Sequence, residues 1–205
     1  MTRRTPTGAA VLQPAITKSI TDAVLVELAE HGYARLSMEA VAKRAGVGKS
    51  ALYRRWPSKQ DMAIAVVSEL SVGLAPAPDT GSLRGDVRGI LASMLEWLSH
   101  PLFFRILPDL VAEMARNPEL AAAIEAMIGI PRRARGAEIL QRAVARGELS
   151  PGLDLEIALD VLAGPLYWRL SVRRGRLEPG YLDSLTEVLL RALGAATDNG
   201  AHPQP

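Results

Sequence analysis

Lys49, Ser50, Tyr53, Arg54 and Arg55 lie together in the stretch AGVGKSALYRR. Ammonium and guanidinium groups, hydroxyls and a phenol at this density suit one chemistry above others, the binding of phosphate oxygens. Two placements offer it. In a nucleotide-binding loop of the form G-x-x-x-x-G-K-[ST], Gly48-Lys49-Ser50 would close the phosphate cradle. In a helix-turn-helix, the same residues would begin the second helix, which presents its first turn to the DNA major groove.

Spacing decides against the loop. Its first glycine belongs five residues before Gly48, where Lys43 stands, and the loop should follow a buried strand, whereas a helical pattern precedes it here. The second placement needs two short helices joined by a tight, often glycine-containing turn. Ser37 is placed to cap a helix, MEAVAKRA, with Met38, Val41, Ala42 and Ala45 along one side. Gly46 stops it, and KSALYRRW follows, closed by Pro57. Val47 and Leu52 would anchor the turn and second helix, leaving Lys49, Ser50, Ala51, Tyr53, Arg54 and Arg55 outward.

Both short helices need a support. Residues 15–31 supply one, with Ile16, Ile20, Val24 and Leu28 four apart and Gly32 at the end. Ser58-Lys59-Gln60-Asp61 opens a further helix as a capping box. A Pro/Gly-rich break, LAPAPDTGS, separates this part from five longer helical stretches: 83–99, 103–116, 118–147 with a break at Gly129-Ile130-Pro131, 155–174 interrupted at Gly164-Pro165, and 179–193. The pattern predicts an all-α chain. Its expected segments are an N-terminal arm (1–14), a helix-turn-helix domain (15–60), a connecting helix and linker (61–82), a larger helical domain (83–195) and a disordered tail (196–205).

Charge follows the same division. Residues 1–60 carry ten Lys or Arg against four Asp or Glu, and the remainder fourteen against eighteen, within a net charge of +2. The basic segment is a candidate for a polyanionic partner, or an ordinary solvated surface. The absence of cysteine excludes disulfides and thiolate chemistry. His31, His100 and His202 have no carboxylates at ligand spacing, so neither a metal site nor a cofactor is expected, and no nucleophile with a nearby base suggests an enzyme. No signal peptide or membrane-length apolar run is evident, and a soluble, cytoplasmic protein is expected.

The stretch SMEAVAKRAGVGKSALYRRWPSKQDM resembles the helix-turn-helix of TetR-family transcriptional regulators in its glycine turn, its Leu-Tyr pair, the aromatic two residues after the first arginine, and the Pro-Ser-Lys that follows. A weaker likeness extends over GPLYWRLSVRRG and EPGYLDSLTEVLLRAL, which look like the closing helices of an actinobacterial-type subgroup. The resemblance implies a homodimer with an N-terminal three-helix DNA-binding domain and a larger C-terminal domain for ligand binding and dimerisation. It implies a repressor of a palindromic operator in double-stranded DNA, released by a small apolar or amphipathic effector. The alternatives are a regulator controlled by a protein partner and, last, a nucleotide-binding enzyme.

By position, the resemblance puts Ser37, Gly48, Lys49, Ser50, Ala51, Tyr53, Arg54 and Lys59 at the DNA. Arg54 would either read a guanine or grip phosphate. Gly48 departs from the Ser or Thr common there and Ala40 from an acidic residue, so a capping hydroxyl and a capping box are missing. In the larger domain Met94, Trp97, Phe103, Phe104, Met114, Met127, Tyr167 and Trp168 are suited to line an adaptable cavity and equally to fill a core. Leu162, Leu166, Leu182, Leu185 and Leu189 form stripes suited to a dimer seam or to internal packing. Arg132-Arg133-x-Arg135 reads as a solvated or ion-paired face.

Overall fold

The computed structural model describes residues 14–72 and 77–195, apart from the side chains of 71 and 72. Nearly all of the expected arm, and all of the expected tail, lie outside them. The described residues are helical, without strands. Their α-helices are α1 (Pro14–Arg35), α2 (Met38–Ala45), α3 (Lys49–Tyr53), α4 (Lys59–Val72), α5 (Leu83–Leu98), α6 (Phe103–Met114), α7 (Pro118–Ile124), α8 (Ile130–Ala145), α9 (Leu155–Tyr167) and α10 (Tyr181–Ala192). Among the described residues no single helix is long and apolar enough to cross a membrane.

Contacts divide the chain into two compact units, Met1–Ser71 with Pro101–Met127, and Val72–His100 with Ile128–Pro205. The division is not linear. α6 and α7, which sequence order groups with residues 83–195, belong by contact to the unit of α1 to α4.

In the first unit α1 is the central support, packed against α2 and α6. The four-residue spacing puts Ile20, Val24 and Leu28 fully inward, and Leu52, Met62 and Val66 join the core from α3 and α4. Burying a side chain of this size contributes about 1.5–3 kcal/mol, enough to hold segments too short to be helical alone. α1 is kinked at Gly32, whose φ of 76° and ψ of 169° are not helical. The kink stands where the apolar period ends.

In the second unit α5 packs against α8, α9 and α10. Asp86, fully buried on α5, accepts hydrogen bonds from the Thr80 N–H at 2.6 Å and Thr80 Oγ1 at 2.9 Å, and pairs with Arg146 at 3.3 Å. A buried carboxylate requires such partners, and these tie the start of α5 to the end of α8.

Two expected interruptions differ in the structure. At Gly129-Ile130-Pro131 the chain passes through a π-helical turn, Glu125–Gly129, directly into α8. Gly164-Pro165 does not interrupt α9 either, because Pro165 sits inside the helix and a π-helical turn, Trp168–Val172, follows it. A proline removes one N–H from the ladder, and a helix packed on its neighbours can lose that single bond and continue.

Candidate nucleic-acid interface

The interface begins with two caps. Ser37, extended at φ −140°, accepts the Ala40 N–H on its Oγ at 3.1 Å and starts α2. Gly46, left-handed at φ 67°, ends it, with its N–H donated to Lys43 at 3.3 Å and that of Val47 to Ala42 at 3.0 Å. This double closure reverses the chain within a few residues and is open to glycine at little cost. α3 starts immediately afterwards.

α1 holds the turn in place. Arg44 binds Glu27 at 2.6 Å and Glu30 at 2.5 Å, and Ser19 Oγ donates to the Ala45 carbonyl at 3.1 Å. Hydrogen bonding to Glu27, foremost, raises the Arg44 pKa above its ordinary value. Arg55 reaches back to the Ala51 carbonyl at 2.8 Å, and Leu52 is fully buried. Val47 and Trp56 are half-buried, so the turn is anchored chiefly through Leu52.

What remains outward is Gly48, Lys49, Ser50, Tyr53 and Arg54, with Tyr53 55% exposed. Ala51 is half-buried at their edge. The Tyr53 ring faces solvent while its neighbour Leu52 fills the core. Gly48 is the N-cap of α3 and makes no side-chain cap bond, as its lack of a hydroxyl dictates. Its φ of −72° is ordinary, and a Cβ there would meet only Ser50 Oγ at 3.7 Å.

Two lysines have partners that sequence order did not reveal. Lys49 is ion-paired with Glu39 of α2, which holds that carboxyl below its usual range through a hydrogen bond and the lysine's charge. Lys59 donates to the carbonyls of Tyr33 and Ala34, each at 3.3 Å, and lies 4.8 Å from the Tyr33 ring centre. It therefore closes the end of α1 as well as carrying charge.

The other expected residues fall in different places. Phe103, Phe104, Met114 and Met127 are in the first unit and Met94, Trp97, Tyr167 and Trp168 in the second. Phe103 is core at 2% exposure, while Phe104, Met127 and Trp168 are exposed and the remainder half-buried. Leu162, Leu166, Leu182, Leu185 and Leu189 are buried within their own chain. The stripe points inward because α9 and α10 pack on α5, and the large apolar groups left exposed nearby in sequence are Ile157, Trp168, Val172 and Val188. Among the described residues no group of three or more carboxylates or histidines is placed to hold a metal ion.

A capped helix, a glycine reversal and a short helix with basic and hydroxyl groups outward constitute a helix-turn-helix of the kind that all-α DNA-binding regulators carry. Residues 20–66 match the model of the bacterial regulatory proteins of the tetR family, and residues 77–189 that of the tetracyclin repressor-like C-terminal domain. The DNA-binding transcriptional repressor TetR of Mycobacteroides abscessus is 30% identical over 167 residues, 81% of this chain and 87% of that one. An uncharacterized HTH-type transcriptional regulator of Mycobacterium tuberculosis is 36% identical over 143 residues, 69% of each chain. The crystal structure of the TetR family transcription regulator SCO0332 superposes with a TM-score of 0.64 at 29% identity, covering 86% of this chain and 97% of that one. The chain belongs to the TetR family of DNA-binding transcriptional regulators.

Proposed function

We propose that the protein is a homodimeric repressor that binds a palindromic operator through α3 and is released when a small apolar or amphipathic effector binds its larger helical domain. The observation that carries the DNA half of this reading is the outward face of α3, where Lys49, Ser50, Tyr53 and Arg54 surround a helix held by buried Leu52. Lys49, Tyr53 and the α3 N-terminus grip phosphates, Ser50 and Ala51 meet base edges or the backbone, and Arg54 reads a base or clamps phosphate. Ser37 and Lys59 add contacts at the rim.

The dimer half accords with Ile157 on α9 and Val188 on α10, which stay exposed within the chain and are available to a two-fold seam. Release follows if the effector prefers the arrangement in which the two recognition helices no longer match successive major grooves. A coupling of about 1–3 kcal/mol is sufficient to change occupancy.

Selection of bound duplexes from a random pool, then titration of the winner at several salt concentrations, tests the reading. The expected result is a palindrome bound far more tightly than random DNA. Equal affinity for selected and random duplexes would remove the repressor reading.

A further inference from the structure

α8 and its C-cap carry five arginines, and three of them are ion-paired within the second unit. Arg133 pairs with Glu156 and Asp160, Arg142 with Asp79 and Asp86, and Arg146 with Asp86 and Glu148. Arg132 is different. Its guanidinium carbon lies 3.6 Å from the centre of the Trp97 ring on α5, and no carboxylate comes within the 4.0 Å of an ion pair among the described residues. Burial, foremost, and then the charge of Arg135 push its pKa down to about 10. Arg132 is only half-buried, so its charged guanidinium is within reach of an incoming anion. The Trp97 ring supports the guanidinium from one side, and the donors that do not face it can meet an anion.

The surroundings suit an amphipathic guest. Trp97 and Met94, both half-buried on α5, supply polarizable apolar surface, while Arg132 supplies a planar donor fork matched to a carboxylate or sulfonate.

We propose that Arg132, seated over the Trp97 ring, anchors the anionic group of a small amphipathic ligand in the C-terminal helical unit. The inference rests on the effector-released reading and adds to it the effector's class: an organic anion with an apolar body. Arg132 is the binding residue and Trp97 the positioning residue.

Anilinonaphthalene sulfonate and its uncharged relative N-phenylnaphthylamine serve as probes on the full chain, with fluorescence as readout and thermal melts as the control for folding. The wild type is expected to bind the sulfonate at least about tenfold more tightly than the neutral probe, as a charge-assisted contact requires. Arg132→Met should weaken the sulfonate by about tenfold and leave the neutral probe within about twofold. Arg132→Lys, which keeps the charge but not the fork, should fall between, and Trp97→Leu should lower the preference for the sulfonate.

A wild type that does not bind the sulfonate, or shows no preference for it, would overturn the proposal whether or not the variants fold. So would equal losses of both probes in a folded Arg132→Met protein, which would indicate apolar packing alone. Operator titration with the probe present separates the two readings. Sulfonate bound through Arg132 without any loss of operator affinity supports the subsite while counting against release by such a ligand.

Discussion

Asp109 of α6 grips α1 at its kink: its Oδ2 accepts the Tyr33 N–H at 2.8 Å, and its Oδ1 lies 2.7 Å from where a Cβ on Gly32 would stand. Gly32 at φ 76° and ψ 169° occupies a region essentially restricted to glycine. The close approach and the backbone shape require the same small residue. Through it, the helix that supports the DNA-binding turn is tied to a segment 76 residues away.

Gly32→Ala should therefore destabilise the fold by about 1–3 kcal/mol from backbone strain, with more from the clash. Asp109→Ala should cost about 1–3 kcal/mol by leaving the Tyr33 N–H unpaired. Urea denaturation of both singles and the double variant provides the check. The double variant should lose less than the sum, because removing the carboxylate relieves the clash. Strict additivity would mean that the two sites do not meet.

If Lys49 binds phosphate as proposed, its ion pair with Glu39 competes with that contact. Glu39→Gln should tighten binding to random duplexes by about two- to fivefold, while Lys49→Ala should weaken it and reduce the salt slope by about one. Because Lys49 holds the Glu39 carboxyl below its usual range, the pair weakens only as pH falls through that lowered pKa. Affinity between about pH 6 and 8 should carry no Glu39 titration. Fluorescence anisotropy on a random duplex measures all three, and a looser Glu39→Gln complex would count against the competition.

Gly48→Ser tests the missing cap. The backbone already has the extended conformation of an N-cap and the space is open, so a hydroxyl should fit without rearrangement. The expected stability gain is only a few tenths of a kcal/mol, about what glycine gives up to serine. Operator affinity should rise by more than stability does, through one added phosphate contact. Matched melting and binding curves decide; a variant that melts higher but binds no better would restrict position 48 to capping.

Lys59 has two roles that one substitution separates. Lys59→Met should lower stability by about 0.5–1 kcal/mol, through loss of the carbonyl contacts at the end of α1 and of the ammonium over Tyr33. If the same side chain also meets phosphate, the salt slope on operator DNA should fall by about one. A changed melting temperature with an unchanged slope would leave only the structural role.

Val188, 50% exposed on α10, should tolerate polarity in a monomer and not in a dimer seam. Val188→Arg is expected to shift sedimentation from dimer toward monomer, with little change in secondary structure. Leu189→Arg, at a buried neighbour, should instead unfold the unit. Sedimentation of Val188→Arg identical to that of the wild type would move the seam elsewhere.

The helix-turn-helix was legible in the chain because each of its determinants is local. Ser37 finds its partner three residues on, Gly46 closes the helix immediately before it, and Ile20, Val24 and Leu28 declare a face by period alone. Such bonds and periods depend on sequence separation, which a sequence contains. A period says that a face is covered and not by what, so the leucines of α9 and α10 suited a seam as well as the core that they occupy. The same limit applies to Lys59 at the end of α1, Lys49 beside Glu39, Arg132 on Trp97, and α6 at the Gly32 kink. Each is a meeting of residues distant along the chain, brought about by packing of whole helices, and charge and size at a single position do not encode which partner will be near.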